Sequence, residues 1–346
     1  MIPHSRPTLS EAEICAVSQV IRSGHIAQGE VVAEFERKVA RYIGLRHAVA
    51  TSSGTSALFL TLMALGVGAG DEVVMPSYVC SAPFHAAVRT GATPLLADVD
   101  PDTFNLNPDD IEKKVTPRTK VVILPHMFGL PGPLDEILRL GIPVVEDCAM
   151  SIGARYKGGW TGSFGRVAVF SFYATKMMTT GEGGMVATNC AEIADIVRDL
   201  RDYDRKPDLK LRLNFKMTDI GAAMGIVQLE RLGSFISRRR QIAKAYSDGL
   251  KTTGLKLPET PPDRDHIFFR YVVGSRNSER MITTLQGAGI MAQRPVFRPL
   301  HHYLNMPSTE FPGTEEVFER TVSLPIYPLL TDEEVEQIIR TIKGVQ

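Results

Sequence analysis

Short apolar runs that alternate with helix-like segments constrain the fold of this chain most strongly. The runs are rich in β-branched residues and occupy the first two thirds of the sequence. Such alternation is typical of a parallel sheet with helices on both faces. Because the runs are almost continuously apolar, both faces of the sheet should be covered. The clearest predicted strands are residues 47–52, 71–76, 93–99, 120–126 and 142–147.

The segments around these strands have helical periodicity, and several end in glycine, which favours a helix end. A possible capping box runs from Thr8 to Glu11 in a first helix that ends at Gly24. A second helix follows directly over 30–44, and a long one is predicted over 217–251. The other predicted helices cover 55–66, 109–115 and 133–141.

The long helix and the proline-rich loop after it predict two domains. We expect a large domain with the N-terminal helices over 1–235 and a small C-terminal α+β domain over 236–346. In the small domain, one strand (267–274) and two helices (279–289 and 331–344) alternate.

Charge and cysteine content exclude several classes of function. The chain has 39 basic and 39 acidic residues, so no nucleic-acid partner is implied. Its four cysteines lack CxxC spacing, which argues against a disulfide framework, a structural zinc site or another metal site. No apolar run is long enough to span a membrane, and no signal-peptide pattern is present. We therefore expect a soluble, cytoplasmic protein that binds small molecules or a second copy of itself.

The turn after the first strand is a candidate anion site. Ser53, Gly54, Thr55 and Ser56 lead directly from the strand into a helix. Unpaired N–H groups and the helix dipole at such an N-terminus favour a phosphate. An ordinary helix cap is an equally good interpretation of these residues.

Two carboxylates, Glu146 and Asp147, end another strand. Since side chains alternate along a strand, the two should point in opposite directions, so that only one faces the ligand crevice. An ionised carboxylate there would need a cationic or hydrogen-bonding partner. A helix cap or loop acid is the simpler alternative.

The stretch FSFYATKMMTTGEGGMV contains a lysine that could also lie either at the ligand crevice or on the protein surface. Ser171 lies inside a predicted strand, Lys176 follows it, and a glycine-rich turn comes next. Such a lysine is a surface residue, a phosphate ligand or a nucleophile, because a desolvated amine can attack an aldehyde. Pyridoxal phosphate requires a lysine, an acid for its ring nitrogen, and amides and hydroxyls for its phosphate. The three candidate sites together supply this set.

At this point the sequence resembles the pyridoxal-phosphate-dependent sugar aminotransferases of the DegT/DnrJ/EryC1/StrS family, which have the aspartate aminotransferase type of fold, fold type I. The resemblance extends over essentially the whole chain. The segments that carry it are SGHIAQG, SSGTSAL, GAGDEVVMPSY, GATPLLADVDPDTFNL, TPRTKVVILPHMFG, VVEDCAMSIGARYKG, FSFYATKMMTTGEGG, LNFKMTDIGAAMGIVQLERL and SLPIYPLLTDEEV.

The resemblance implies a role for each candidate. Lys176 would form the Schiff base with the cofactor and then move the proton, and Asp147 would bind the pyridine nitrogen. Asn214 would reach the phosphate in the partner subunit, so that the active unit would be a homodimer. Residues that would hold the phosphate within the subunit are Gly54, Thr55, Ser56 and Ser171.

The resemblance also implies substrate contacts for Glu182, in the glycine-rich turn, and for His301, in the segment QRPVFRPLHHY. The expected substrates are an amino acid, with glutamate as donor, and a nucleotide-linked sugar with a keto carbon. The cofactor would alternate between pyridoxal phosphate and pyridoxamine phosphate.

Two cofactor-contact positions depart from the family pattern. Met150 stands where relatives have Gln or His, and methionine cannot donate a hydrogen bond, although its sulfur can pack on the ring. Cys80 stands where relatives stack an aromatic side chain on the ring, and Tyr78 or Phe84 is a candidate to fill that gap.

Two alternatives to an aminotransferase remain, and the two departures favour only the first. One is a regulator that binds the cofactor or a sugar nucleotide without transamination. The other is a pyridoxamine-phosphate-dependent sugar dehydratase of the same family, against which Lys176 argues because those relatives have histidine there.

Overall fold

The computed structural model describes residues 1–345. Twelve helices and twelve strands are present in this part of the chain, besides two short 3₁₀ turns. The helices are α1 (Glu11–Ser23), α2 (Glu30–Ile43), α3 (Gly54–Ala64), α4 (Ala82–Thr90), α5 (Pro108–Lys114), α6 (Leu134–Leu138), α7 (Ala191–Leu200), α8 (Asp219–Leu250), α9 (Ser278–Gly287), α10 (Leu300–Tyr303), α11 (Pro312–Arg320) and α12 (Asp332–Val345). The strands are β1 (His47–Thr51), β2 (Glu72–Pro76), β3 (Thr93–Ala97), β4 (Thr119–Pro125), β5 (Val144–Asp147), β6 (Arg155–Tyr156), β7 (Gly159–Trp160), β8 (Val167–Ser171), β9 (Gly184–Thr188), β10 (Arg264–Asp265), β11 (Tyr271–Gly274) and β12 (Thr321–Leu324).

The central sheet has seven strands in the order β1-β9-β8-β5-β4-β2-β3. Neighbouring strands from β3 to β8 are parallel, whereas β9 is antiparallel to both β8 and β1. All five strands expected from the apolar runs belong to this sheet, so the predicted α/β class with a mostly parallel sheet is confirmed.

Helices cover both faces of the sheet, as the apolar strands require. In β8, Val167 and Val169 pack in the core with α3 and α7, while Ala168 and Phe170 pack in the core with α2 and α8. Helices α5 and α6 cover the face that Ala168 and Phe170 share, at the side of the sheet formed by β5, β4, β2 and β3. Because β5, β4 and β2 are parallel, their carboxyl ends lie at one edge, which is where ligands bind in such sheets.

The first helix begins two residues later than expected. Ser10 is its N-cap, and the capping box joins Ser10 to Glu13, so the predicted pair Thr8 and Glu11 is wrong. Gly24 ends the helix in the left-handed conformation, as predicted. Burial alone would raise the pKa of Glu13, but hydrogen bonds from Ser10, Gln228 and Arg231 lower it to about 2.

A single 32-residue helix, α8, occupies the region that the sequence assigns to a long helix. Its first half packs on α1 and α2, and side chains from Ile242 to Leu250 pack with β11, β12 and α12. The two-stranded sheet of β11 and β12 lies with this second half. The division into domains at residue 235, which falls inside α8, stays a prediction.

The sequence patterns did not indicate every element. The elements that were not expected are the helices α4, α7, α10 and α11 and the short strands β6, β7, β10 and β12. Helix α4 has a proline in its first turn and ends at Gly91 with φ of 87°, which are the usual start and stop signals. Among residues 1–345, no helix combines the length and apolar character that crossing a membrane requires.

Candidate active site

A cleft of about 320 Å³ opens at the carboxyl ends of β5 and β8, beside the first turn of α3. It lies where the open-sheet architecture places ligands. Seven of the eleven site residues expected from the sequence line it: Gly54, Thr55, Cys80, Asp147, Ser171, Lys176 and Glu182.

The first turn of α3 forms one wall of the cleft. The Ser53 side chain caps the helix by accepting a hydrogen bond from Ser56 N at 3.0 Å. A Cβ on Gly54 would lie 2.8 Å from Ser171 Cβ, so only glycine allows the helix to approach β8 this closely. The hydroxyls of Thr55 and Ser171 form no hydrogen bond within residues 1–345, which leaves both free to bind an anion at the helix N-terminus.

Ser56 differs from its neighbours in this turn. Its hydroxyl is buried and lies 2.8 Å from Ser53 Oγ and 2.9 Å from Ser52 Oγ. It does not line the cleft. Its role as a phosphate ligand stays a prediction, whereas its role in the cap is visible.

Asp147 and Glu146 point to opposite sides of β5, as strand alternation predicts. Asp147 lines the cleft, and its Oδ1 accepts a hydrogen bond from Ala149 N at 3.0 Å. Glu146 is fully buried on the other side and accepts from His126 Nε2 (3.0 Å) and three backbone N–H groups. Glu146 therefore stabilises the fold, and Asp147 is the carboxylate available to a ligand.

Lys176 lies across the cleft from this strand end, and its charged form is disfavoured. Burial lowers the pKa of Lys176, an effect that the positive charge of Arg270 reinforces and that Asp147 and Cys80 partly offset. Burial also raises the pKa of Asp147, although Lys176 acts in the opposite direction. A lysine that loses its proton more readily than an exposed one is suited to nucleophilic attack and proton transfer.

The region around Cys80 corrects one expectation. Tyr78 cannot fill the space beside Cys80, because it is fully buried, with its hydroxyl 3.2 Å from Thr321 Oγ1 and its ring edge-on to Phe128. Phe84 is half-buried in the core of α3 and α4 and does not line the cleft either. The cleft instead has the aromatic side chain of Tyr173, which sequence reasoning missed.

Met150 packs against the cores on both faces of the sheet and is not part of the cleft wall. Its contact with a cofactor ring stays a prediction.

Asn214 is exposed and does not line the cleft of its own chain. Glu182 is exposed at the rim, as its position in a glycine-rich turn suggests.

His301 does not reach the cleft. It is fully buried, with Nδ1 2.6 Å from Ser77 Oγ and Nε2 2.6 Å from Glu315 Oε1, and it stacks on Phe311. Both ring nitrogens are thus occupied inside the protein, so the geometry does not support direct substrate contact by His301.

Sequence reasoning also missed Arg270, the cation whose charge adds to burial in lowering the pKa of Lys176. An arginine in the apolar segment IFFRYVV, just before β11, is the only signal that marks it.

Comparison with known proteins identifies the group to which this site belongs. The family model for the DegT/DnrJ/EryC1/StrS aminotransferase family matches residues 7–343. The GDP-perosamine synthase of Caulobacter vibrioides is 35% identical, over 92% of this chain and 90% of that protein. Among solved structures, the aminotransferase TlmJ of Streptoalloteichus hindustanus superposes with a TM-score of 0.95 at 35% identity, covering 100% of this chain and 98% of that one. The putative sugar aminotransferase Spr1654 of Streptococcus pneumoniae, solved in its PMP-form, has a TM-score of 0.95 at 29% identity, with 100% and 99% covered. The chain therefore belongs to the DegT/DnrJ/EryC1/StrS aminotransferase family.

Proposed function

We propose that this protein is a pyridoxal-phosphate-dependent aminotransferase that moves an amino group from an amino acid, with glutamate as donor, to a keto carbon of a nucleotide-linked sugar. The observation that carries the proposal is the cleft that joins Lys176, Asp147 and the first turn of α3. The product would be an aminosugar.

The residues of the cleft fit the cofactor. The first turn of α3 offers helix N–H groups and the unpaired hydroxyl of Thr55 to the phosphate, and Gly54 lets this turn approach β8 closely enough for the unpaired hydroxyl of Ser171 to join them. Asp147 would face the ring nitrogen, and Lys176 would bond to the cofactor aldehyde. When bound, pyridoxal phosphate supplies the group that accepts the amino nitrogen and a ring that withdraws electrons.

The remaining chemistry is proton handling by this chain's own side chains. The Lys176 amine, whose pKa burial lowers, can accept a proton at Nζ from the donor carbon in the first half-reaction. In the second half-reaction the protonated amine can deliver a proton to the sugar carbon that receives the nitrogen. Burial disfavours the ionised form of Asp147 by raising the pKa of its carboxyl group. A protonated ring nitrogen beside it would favour the ionised form, so each charge would stabilise the other.

The substrate class is supported by the relatives. A GDP-perosamine synthase and a putative sugar aminotransferase each match nearly the full length of this chain. Cys80 and Tyr173 on the cleft wall give this member its own pocket surface. We propose that these side chains adapt the pocket to the sugar without removing transamination.

We further propose that the active unit is a homodimer in which Asn214 reaches the partner's cleft. Asn214 is exposed and is absent from the lining of its own cleft. Leu209 and Leu211, in the same segment, are among the most exposed apolar side chains of the described residues. Exposed apolar side chains close to one another are common at protein interfaces.

We also propose a cytoplasmic location for the protein. Its four cysteines are free, and Cys80 is exposed in the cleft, which suits a reducing compartment.

The proposed function is tested by the visible absorption band of the protein loaded with pyridoxal phosphate. The band should decrease on addition of glutamate and return when a 3-keto or 4-keto nucleotide sugar is added. Lys176→Ala should abolish both changes, whereas Lys120→Ala, which removes an exposed lysine at the start of β4, should leave them intact. Normal spectral changes in Lys176→Ala would refute the assignment.

A further inference from the structure

Lys176 is one of three neighbouring cations that lack an acidic partner. Its Nζ lies 5.3 Å from the centre of the Phe269 ring, and the Arg270 guanidinium lies 5.4 Å from the same ring. Arg239 is fully buried close to Arg270. Within residues 1–345, no carboxylate oxygen lies within 4.0 Å of a side-chain nitrogen of these three residues. Cations held away from water need an anion or strong hydrogen-bond acceptors.

The two arginines differ in the hydrogen-bond acceptors that surround their guanidinium groups. Arg239 Nη1 donates to three backbone carbonyls, those of Ile326 at 2.8 Å and of Phe268 and Phe269 at 3.2 Å, so it ties α8 to the segment before β11. Arg270 donates only through Nη1, to the ring of His4, with 3.2 Å to His4 Nε2. Its Nε and Nη2 donate to no residue within 1–345. Arg270 therefore has half of its guanidinium free.

His4 orients Arg270 without neutralising it. The His4 ring also lies 2.9 Å from Ser323 Oγ and 3.4 Å from Gln293 Nε2, so it is held from three sides. Burial, together with the charges of Arg270 and Arg239, lowers the pKa of His4 to about 3, and the ring is neutral at physiological pH. The positive charge of Arg270 consequently stays uncompensated.

Arg270 does not line the cleft itself, but it shares the Phe269 ring as a contact with Lys176, which does. Its positive charge adds to burial in lowering the pKa of Lys176. The carboxylate in the cleft, Asp147, would bind the cofactor ring nitrogen in the proposed function, so it would not serve as the acidic partner of Arg270. The first turn of α3 supplies a separate anion site for the cofactor phosphate.

We propose that Arg270, oriented by His4, binds a carboxylate of the amino donor and holds that substrate against Lys176. This inference rests on the proposed function and adds a recognition site to it. A free edge of a guanidinium can form two parallel hydrogen bonds to a carboxylate, which fixes both the position and the orientation of the donor. An amino acid always carries such a carboxylate.

Isothermal titration of the protein loaded with pyridoxal phosphate tests this site, with glutarate as an unreactive dicarboxylate probe. We expect Arg270→Gln to weaken glutarate binding on the order of 10- to 100-fold, the usual effect of losing a charge-assisted pair. Arg270→Lys, which retains the charge but loses the planar geometry, should fall between Arg270→Gln and the unsubstituted protein. Arg280→Gln removes an exposed arginine of α9 and should change nothing.

Three outcomes would overturn the inference: no saturable glutarate binding to the unsubstituted protein, unchanged affinity in both Arg270 variants, or equal weakening in Arg280→Gln. Titrations of each variant with pyridoxal phosphate and with a nucleoside diphosphate identify the anion. If Arg270→Gln weakens one of these ligands and leaves glutarate unaffected, Arg270 binds phosphate and the inference fails. A protein whose absorption band still responds to glutamate while Arg270 has no effect on glutarate would retain the proposed function and lose only this site.

Discussion

Adjacent carboxylates with opposite roles lie at the end of β5. The sequence predicts that Glu146 and Asp147 diverge, because side chains alternate on a strand. It does not predict which of them faces the ligand, since that depends on which helices cover each side of the sheet. In the structure Glu146 accepts four hydrogen bonds inside the protein, and Asp147 lines the cleft.

This division predicts opposite effects for two matched variants. Asp147→Asn should preserve thermal stability and slow the reaction with glutamate about 10²- to 10⁴-fold, because the ring nitrogen loses its acidic partner. Glu146→Gln should lower the free energy of unfolding by about 2–4 kcal/mol, because an amide cannot accept all four hydrogen bonds. Calorimetry and stopped-flow absorbance measure the two effects, and the reverse pattern would contradict the assignment.

The titration of Lys176 gives a second prediction at this scale. The neutral amine reacts with the cofactor aldehyde, and the pKa of Lys176 is lowered from 10.5. The rate of cofactor capture by the cofactor-free protein should therefore rise with pH through a midpoint below 10.5. Arg270→Gln should move that midpoint upward, because removing a neighbouring positive charge stabilises the protonated form of Lys176 and raises its pKa. A midpoint at or above 10.5 in the unsubstituted protein would show that the lysine is not desolvated.

Helix α8 organises the N-terminal helices at the scale of elements. Asp219, its first residue, accepts from Gly29 N at 2.8 Å and Val32 N at 2.9 Å, so it caps α2, whose own N-cap is a glycine without a side chain. Farther along α8, Gln228 and Arg231 bind Glu13 of α1. Through these hydrogen bonds α8 holds α1 and α2, although both helices are far from α8 in the sequence.

Removing this cap should destabilise the protein. Asp219→Ala leaves the first N–H groups of α2 unpaired in a buried place, and we expect a loss of about 1–3 kcal/mol in the free energy of unfolding. Asp248→Ala, on the same helix but in an exposed pair with Lys244, should cost less than about 0.5 kcal/mol. Denaturant titration of both variants checks this, and equal losses would argue against the capping role.

The elements that the sequence indicates best are those with strong local signals. The sheet strands are uniformly apolar, and α1 and α2 end at glycines with positive φ. The capping box was placed two residues early because Thr8 and Ser10 are both followed by a Glu three residues later. Contacts such as that between Asp219 and α2 join residues 190 positions apart, and no local pattern contains them.

At the scale of the whole molecule, the cleft was anticipated more completely than its surroundings. Asp147 and Gly54 lie where expected, because the end of β5 and the start of α3 determine their positions and both were visible in the sequence. His301 and Tyr78 were misjudged because their burial depends on packing between distant segments. The same limit applies to Asn214, because its proposed role in the partner's cleft involves a second chain.

A mixing experiment tests that role. Lys176→Ala and Asn214→Ala homodimers should each be inactive or nearly so. If Asn214 serves the partner's cleft, each mixed dimer contains one intact site, and refolding the two variants together should restore activity. If Asn214 serves its own chain, no mixed dimer has an intact site, and mixing would restore nothing.

The fate of the amino nitrogen tests the central claim most directly. The protein loaded with pyridoxal phosphate would be given ¹⁵N-labelled glutamate and a keto nucleotide sugar, and the sugar product would be analysed by mass spectrometry. Our account predicts a sugar that has gained the labelled nitrogen in place of its keto oxygen, and no such product with Lys176→Ala. A sugar that loses a hydroxyl without gaining nitrogen, or one that is recovered unchanged from the keto sugars tested, would contradict it.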